Sequence, residues 1–524
     1  MSALLLTARN ISLLGVGLLL LAIARTVGQG LFSSLRQVPG PISARFSRFW
    51  YLRNVSKGTF HETNIQLHKK HGPVVRIAPN QFSFNDPDAI KTIYGIGKPF
   101  IKSSWYKASS DPNAQFKDLF TDQNAARHSA NRRLVANLYS VTSLRTMESA
   151  VDECVDLLVD RMSELSRSGK SFDLQFWMQC YAFDVIGQIT VGQKVGFLEK
   201  GTDERNIFSS LHDYLKYCAV IGVVNELHGV LSWLMSFLPA NGIAYVANFT
   251  QASIQQGRKI RSMDRSFDKA QDFLSKALSL HQANPDKFPD AAIQTLCLTN
   301  FGAGSDTTSI SLCATIFSLI KHPECLSKLR NEIDEKLAHL GDVDKIPFKD
   351  TQSMPYLQAC IKESLRLHPA TGLPLARVVP EGGATITGTF FPSGVVVGVN
   401  SWVAHRNPDV FGPDTDEFRP ERWLTTDKEK LKMMDASWMP FGAGSRTCIG
   451  KNISLLEMNK LVPTLVKRFD FSEAASCNVH MENYWLVKQK GMICKVGLRD
   501  MGRSDVKDKE VLVTKNEINL EGDS

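Results

Sequence analysis

The sequence predicts a mainly α-helical protein with a small β region, folded as one large unit behind an N-terminal membrane helix. Apolar residues recur at helical spacing over 147–165, 176–191, 291–321 and 451–469, the period that turns one face of a helix toward a core. β-branched and aromatic residues bounded by turn signals are confined to 73–84, 371–399 and 484–496, which predicts only short strands. A length of 524 residues by itself suggests two or three domains. No long Pro/Gly/Ser linker, charge block or repeat period follows Pro41 to mark a boundary, however.

Composition narrows the function classes. Hydrophobic residues make up 43% of the chain, enough for a sizeable core. The net charge of +8 is spread in mixed sign, without basic stripes interleaved with aromatics, so no nucleic-acid partner is expected. Ten cysteines occur without a C-x-x-C pair, which argues against a zinc site or disulfide framework and for a reducing compartment.

Residues 10–24 carry no charge and lie between Arg9 and Arg25. As helix they rise only about 22 Å, but Leu4 to Leu6 before them and Val27, Leu31 and Phe32 after them lengthen the apolar stretch. A signal peptide has an apolar region of this size, but the small-residue cleavage pattern is missing. An uncleaved anchor over 1–35 is expected. Arg25, Arg36, Arg45, Arg48 and Arg53 follow with no acid before Glu62, which directs the body to the cytosolic side of an endoplasmic reticulum membrane. The body is expected over 36–499, and the charged segment 500–524 as a disordered tail.

Along the body, 73–84 reads as a hairpin turning at Pro79-Asn80. The stretch 98–120 reads as a loop with an apolar cluster of Phe100, Trp105, Tyr106, Phe116 and Phe120. His128 and Arg132 stand one turn apart on an amphipathic helix and can face one target, or form a solvated basic face. The apolar stretch 211–246 fits either core or a second membrane contact. Residues 484–496 suggest a final hairpin.

Two further stretches carry chemistry. Within the helix at 291–321, the run Phe301-Gly302-Ala303-Gly304-Ser305-Asp306-Thr307-Thr308 combines poor helix formers with hydroxyls that compete for backbone carbonyls, which predicts a locally opened turn. Near the C-terminus, Phe441-Gly442-Ala443-Gly444-Ser445-Arg446-Thr447-Cys448-Ile449-Gly450 places a lone cysteine at the mouth of a helix, where unpartnered amides and the helix dipole favour a thiolate. Gly444 allows a positive-φ turn and Gly450 a close backbone approach. A thiolate suits iron, and Arg446 can pair with an anion beside it. The run from Gly444 to Lys451 is one residue too long for a phosphate loop, and Asn452 stands where that loop needs Ser or Thr.

The loop resembles the haem-ligand signature F-x-x-G-x-R-x-C-x-G of the cytochrome P450 family at every fixed position, and the likeness extends from about Pro39 to about Arg499. It implies the cytochrome P450 fold and haem b, with Cys448 as axial ligand of the iron, Arg446 on a haem propionate and Phe441 shielding the sulfur. The run from Ala303 to Thr308 resembles A-G-x-D-T-T, which implies that Thr307 contacts dioxygen at the metal and Asp306 relays protons. Such chemistry needs an electron-donating ligand on one face and timed protons on the other. Arg132 matches the arginine of W-x-x-x-R, with His128 in the tryptophan place, and Arg377 is a further implied propionate partner. Glu363 and Arg366 fit E-x-x-R, and Arg422 lies in Pro420-Glu421-Arg422-Trp423, which resembles the family's P-E-R-F/W element; together these imply a structural charge cluster behind the thiolate. The loop at 98–120 and Thr371, Leu373 and Leu375 become candidate cavity walls.

The resemblance implies a membrane-anchored monooxygenase that takes electrons from an NADPH-dependent cytochrome P450 reductase and oxidises an apolar small molecule. The flanking text looks most like fungal members of the pisatin demethylase group acting on secondary metabolites. A haem-thiolate isomerase, dehydratase or peroxygenase would need no reductase, and a haem-binding sensor would do no chemistry. Asp306 and Thr307 weigh against both.

Overall fold

The computed structural model describes residue 28 and residues 32–500, apart from 112–113, 236, 238–241, 264–271 and 342. The expected anchor lies almost wholly, and the expected tail from 501 onward, outside the described residues. The elements that position the site are β1 (Val74–Ala78), β2 (Gln81–Phe84), β3 (Ile101–Lys102), α1 (Ala125–Val135), α2 (Glu148–Ser168), α3 (Leu174–Val191), α4 (Ile207–Val223) and α5 (His228–Met235). They continue with α6 (Gly242–Met263), α7 (Asp290–Lys321), α8 (Pro355–Leu367), β4 (Arg377–Val378), β5 (Val396–Val399), α9 (Lys451–Arg468), β6 (Phe469–Glu473), β7 (His480–Tyr484), β8 (Leu486–Lys490) and β9 (Ile493–Leu498).

α7 is the axis of the molecule. It packs along α3 and touches α6, α8, α9 and β8. The helix runs unbroken through 301–308, contrary to the opened turn expected from its glycines and threonines. Its hydroxyls are absorbed by its own backbone instead. Ser305 Oγ donates to Phe301 O at 2.8 Å, Thr307 Oγ1 to Ala303 O at 2.6 Å, Ser311 Oγ to Thr307 O at 2.8 Å and Thr315 Oγ1 to Ser311 O at 2.9 Å. Each bond closes a local i to i−4 loop without removing the backbone donor. A Cβ on Gly304 would lie 2.8 Å from Ile186 Cδ1, so this glycine serves the close packing of α3 against α7.

β1 and β2 form the expected hairpin, antiparallel with Val74 opposite Phe84 and an irregularity between Arg76 and Ala78. β2 pairs parallel with β5, and the sheet continues through β4 to β3 in the order β1-β2-β5-β4-β3. The terminal hairpin is displaced from its expected place. It joins β7 to β8 around Trp485, while β9 pairs with β6 in a separate sheet. The alternating pattern at 484–496 therefore spans the second half of one hairpin and the central strand of a separate three-stranded sheet.

The apolar stretch 211–246 divides in two. Leu211, Cys218, Ala219 and Val223 on α4 are buried, whereas Val230, Trp233, Leu234 and Phe237 in and beyond α5 are exposed. Among the described residues no single helix is long and apolar enough to cross a membrane; α4 and the segment through Leu234 pass together only as a pair bent by 114°.

Candidate active site

The cysteine loop folds through two left-handed glycines, Gly442 at φ 72° and Gly444 at φ 66°. Gly444 has a second constraint, since a Cβ there would lie 1.6 Å from Tyr94 O. The loop closes through the Cys448 amide, which donates to Phe441 O at 2.8 Å, and Thr447 Oγ1, which donates to the same oxygen at 3.2 Å. Gly450 sits beside the sulfur, where a Cβ would be 3.8 Å from Sγ, an ordinary contact. The Phe441 ring packs against Trp438 with centroids 6.0 Å apart.

Cys448 is surrounded by protein on most sides, yet its side chain is exposed. Burial pushes the thiol above its ordinary value; the amides of Gly450 and Lys451 and the charges of Arg132 and Lys451 pull the other way. Helix-mouth position alone predicts a thiolate, but burial outweighs it. A cation bound at the sulfur would supply the missing bias, since coordination deprotonates a thiol outright.

Around this loop several cations gather. Arg446 Nη1 donates to Asp122 O at 2.9 Å. Arg377 is buried and donates to Ala376 O at 3.0 Å and Tyr106 Oη at 3.3 Å. The Arg132 guanidinium has no hydrogen-bond partner among the described residues and feels Cys448 electrostatically. His128 is 4% exposed and pulled down to about 4, first by burial and then by Arg446, Lys102 and Arg132, so it is neutral at physiological pH. Lys102 completes the group. Burial, then Arg377 and Arg446, push its ammonium well below the usual value, while its Nζ donates to Phe120 O and lies over the Tyr106 and Phe120 rings at 4.6 and 4.7 Å. Asp122, the near acid, is already held by Arg127 at 2.7 Å. Like charges this close repel unless an anion joins them.

α7 presents Gly302 and Ala303 as an exposed face with Thr307 half-buried beside them, and a Cβ on Gly302 would meet nothing. Thr308 Oγ1 and Ser454 Oγ share a 2.7 Å bond that ties α7 to α9 just beyond Cys448. Asp306 and Thr307 are sequence neighbours but point apart, as consecutive helical residues must. Asp306 is fully buried and pairs with Lys488 Nζ at 2.8 Å; Gln179 Nε2 also donates to it.

Behind the loop lies the charge cluster. Arg366 binds Glu363 through Nε and Nη2 at 2.8 and 2.9 Å, Arg422 Nε reaches Glu363 Oε1 at 2.8 Å, and all three side chains are fully buried. Trp423 Nε1 donates to Glu363 Oε2 at 2.9 Å, and the carbonyls of His405, Thr415 and Glu417 absorb the remaining Arg366 donors. A buried ion pair survives only with its spare lone pairs and protons satisfied in this way.

Three contributors escaped sequence reasoning. Lys102 ends the two-residue strand β3, in a stretch with no flanking sequence signal, and Lys488 looks like any strand lysine. His405 accepts from Met439 N–H at Nε2 (2.8 Å) and donates from Nδ1 to Arg366 O (2.9 Å), so it connects the charge cluster to the start of the cysteine loop. Trp105, Tyr106 and Phe120 form an apolar cluster with Trp485, while Phe100 and Phe116 pack against other clusters: Trp105 and Trp485 stand 4.7 Å apart, and Trp485 takes φ 74° at the hairpin tip.

An exposed thiol, an open face on the central helix and an excess of cations around the cysteine loop fit a flat macrocycle carrying a soft metal and carboxylates, as haem does. Comparison with known proteins agrees. The family model described as Cytochrome P450 matches residues 39–495. A pisatin demethylase of Fusarium vanettenii is 39% identical over 463 residues, 87% of this chain and 89% of that protein. A cytochrome P450 monooxygenase of Aspergillus terreus is 35% identical over 449 residues, 84% and 90% of the two chains. Cytochrome P450 monooxygenase cicH of Emericella nidulans is 36% identical over 466 residues, 86% and 92%. With the family model covering nearly all of the body and the cysteine loop, helical face and charge cluster in the places described, the chain belongs to the cytochrome P450 family and is a haem-thiolate monooxygenase.

Proposed function

We propose that this monooxygenase is a membrane-bound enzyme of fungal secondary metabolism, reduced by an NADPH-dependent cytochrome P450 reductase and acting on an apolar small molecule. The observations that carry the reading are the exposed Cys448 thiol, the open Gly302–Ala303 face of α7 with Thr307 beside it, and the Thr308–Ser454 bond that joins α7 to the helix following Cys448.

Haem, when bound, activates dioxygen by successive one-electron reductions. The chain's residues do the rest. Cys448 would supply the sulfur ligand of the iron, and Arg132, Arg377, Arg446, Lys102 and neutral His128 would hold the haem carboxylates. Thr307 brings a hydroxyl to the open face, and Asp306 places a buried carboxylate on the next residue of the helix. Phe441 and Trp438 pack edge to face beside the cysteine loop. Trp105, Tyr106, Phe120 and Trp485 give the substrate an apolar surface.

Membrane attachment is supported by the apolar N-terminal sequence and by the exposed Val230, Trp233, Leu234 and Phe237. An endoplasmic reticulum location with the body in the cytosol follows from the arginines after the anchor. Failure of the full chain to float with lipid vesicles would remove this part of the reading.

The test of function is product analysis by mass spectrometry, with the chain expressed beside a reductase and offered terpenoid, polyketide and indole candidates. Pisatin belongs in the panel because a relative at 39% identity bears its name. Product that gains oxygen, or loses an alkyl group by oxidation, only with NADPH and reductase supports the reading. Product formed without reductase would instead favour an isomerase, dehydratase or peroxygenase.

A further inference from the structure

β4 and β5 run antiparallel with Arg377 opposite Val397. Carried on by two residues, the same register sets Leu375 opposite Val399, and Leu375 N donates to Val399 O at 3.0 Å. Residues that face each other in this way exchange two N–H···O bonds, so a return bond from Val399 N–H to Leu375 O belongs here. A side chain takes its place. The Tyr94 hydroxyl accepts from Val399 N at 2.8 Å and donates to Leu375 O at 2.8 Å. A direct bond would span about 2.9 Å; two bonds in series through the hydroxyl hold the groups farther apart. Tyr94 ends the short helix Pro87–Tyr94 and is buried, and burial pushes its phenol above the ordinary value against the pull of Arg377 and the Val399 amide, so the hydroxyl keeps its proton.

The opened pair lies between two parts of the site. Leu375 is half-buried, while residues 372–374, 376 and 377 around it are buried. It packs with Tyr94, Met439 and Ala443 on one side and with Trp105, Tyr106 and Trp485 on the other, and a Cβ on Gly442 would lie 3.6 Å from its Cδ1. Leu375 O also accepts from Arg377 Nη1 at 3.4 Å, and the Arg377 guanidinium lies 5.1 Å from the centroid of the Tyr94 ring. The backbone oxygen of Tyr94 is the atom that a Cβ on Gly444 would strike. One residue is in this way in contact with both the strand that carries Leu375 and Arg377 and the loop that carries Cys448.

We propose that Tyr94 is a positioning residue for substrate fit: its hydroxyl, inserted in the ladder between Leu375 and Val399, sets how far the Leu375 side chain projects toward a bound apolar molecule. The inference rests on the reading of Leu375 as a cavity wall. Removing the hydroxyl leaves Val399 N–H and Leu375 O to find each other or stay unpaired. In either case Leu375 shifts.

The test uses the haem-loaded full chain and optical titration with two probes, 4-phenylimidazole, whose phenyl ring the cavity must house, and imidazole, which has no ring to house. Y94F weakens 4-phenylimidazole severalfold relative to imidazole. L375A, the reference for the wall, also shifts the ratio of the two affinities, and Y94F/L375A matches L375A because Tyr94 acts through Leu375. A second measurement needs no variant: in hydrogen exchange of the wild type, 4-phenylimidazole slows the Val399 amide more than imidazole does. If L375A moves the ratio while Y94F lowers only the thermal midpoint, Tyr94 is a structural brace and the proposal fails. Equal exchange at Val399 with both probes overturns it as well. If L375A leaves the ratio unchanged, the reading of Leu375 as a cavity wall fails first and the inference falls with it.

Discussion

The hydroxyls of Thr308 and Ser454 share a hydrogen bond of 2.7 Å between two buried residues, one on the central helix and one on the helix that begins at the cysteine loop. It ties the central helix to the helix that follows the cysteine loop. T308V leaves the Ser454 hydroxyl without this partner, at a cost of about 1–3 kcal/mol. Thermal unfolding of T308V, S454A and the double variant checks this: the double variant should lose less than the sum of the singles. Strict additivity would show that the bond does not form.

Glu363 carries two arginines and an indole N–H in a site closed to water. E363A strands two buried guanidinium groups, and breaking such an arrangement costs about 3–5 kcal/mol. Urea unfolding should register that loss together with poor haem incorporation. E363Q keeps the size but not the charge and is expected to fall between.

His61, His68, His368 and His405 are buried and depressed, to about 3 for His61 and His405 and about 4 for His68 and His368, with burial the leading cause in each. Their folded values lie below the ordinary 6.5, so the unfolded chain binds protons that the folded chain refuses. Stability is therefore fully present above pH 6.5 and is lost as pH falls toward the folded values. Each histidine removes up to about 1.4 kcal/mol per pH unit in that window. Unfolding midpoints measured from neutral to mildly acid pH should drop steeply once pH passes below the ordinary histidine value; a flat profile would contradict the buried neutral state.

Thr307 already spends its hydroxyl proton on Ala303 O, and it lies on the open face of the helix. T307V keeps shape and removes the hydroxyl, so haem binding should persist while more reducing equivalents emerge as hydrogen peroxide. T307S, which retains a hydroxyl, should couple better than T307V. Equal peroxide release from all three would remove Thr307 from proton handling.

Much of this was legible because local chemistry and global packing agree. Glycines and a cysteine in the loop at 441–450 have positive φ, a close approach to Tyr94 and a helix mouth to explain them. Glu363 and Arg366 are one turn apart, so their pairing is visible in the sequence. The integrity of α7 was not, since nothing local tells whether a threonine hydroxyl opens a helix or is absorbed by the i−4 carbonyl. Lys102, His405 and Lys488 were invisible for another reason. Their partners are residues brought near by tertiary packing, such as Phe120, Met439 and Asp306.

The account's central claim is that the Cys448 sulfur binds the haem iron. Reduced, carbon monoxide-bound spectra of the wild type and C448A test it most directly. The wild type should show the long-wavelength Soret band of thiolate ligation, and C448A should lose it; a thiolate-type band that survives the loss of Cys448 would contradict the account.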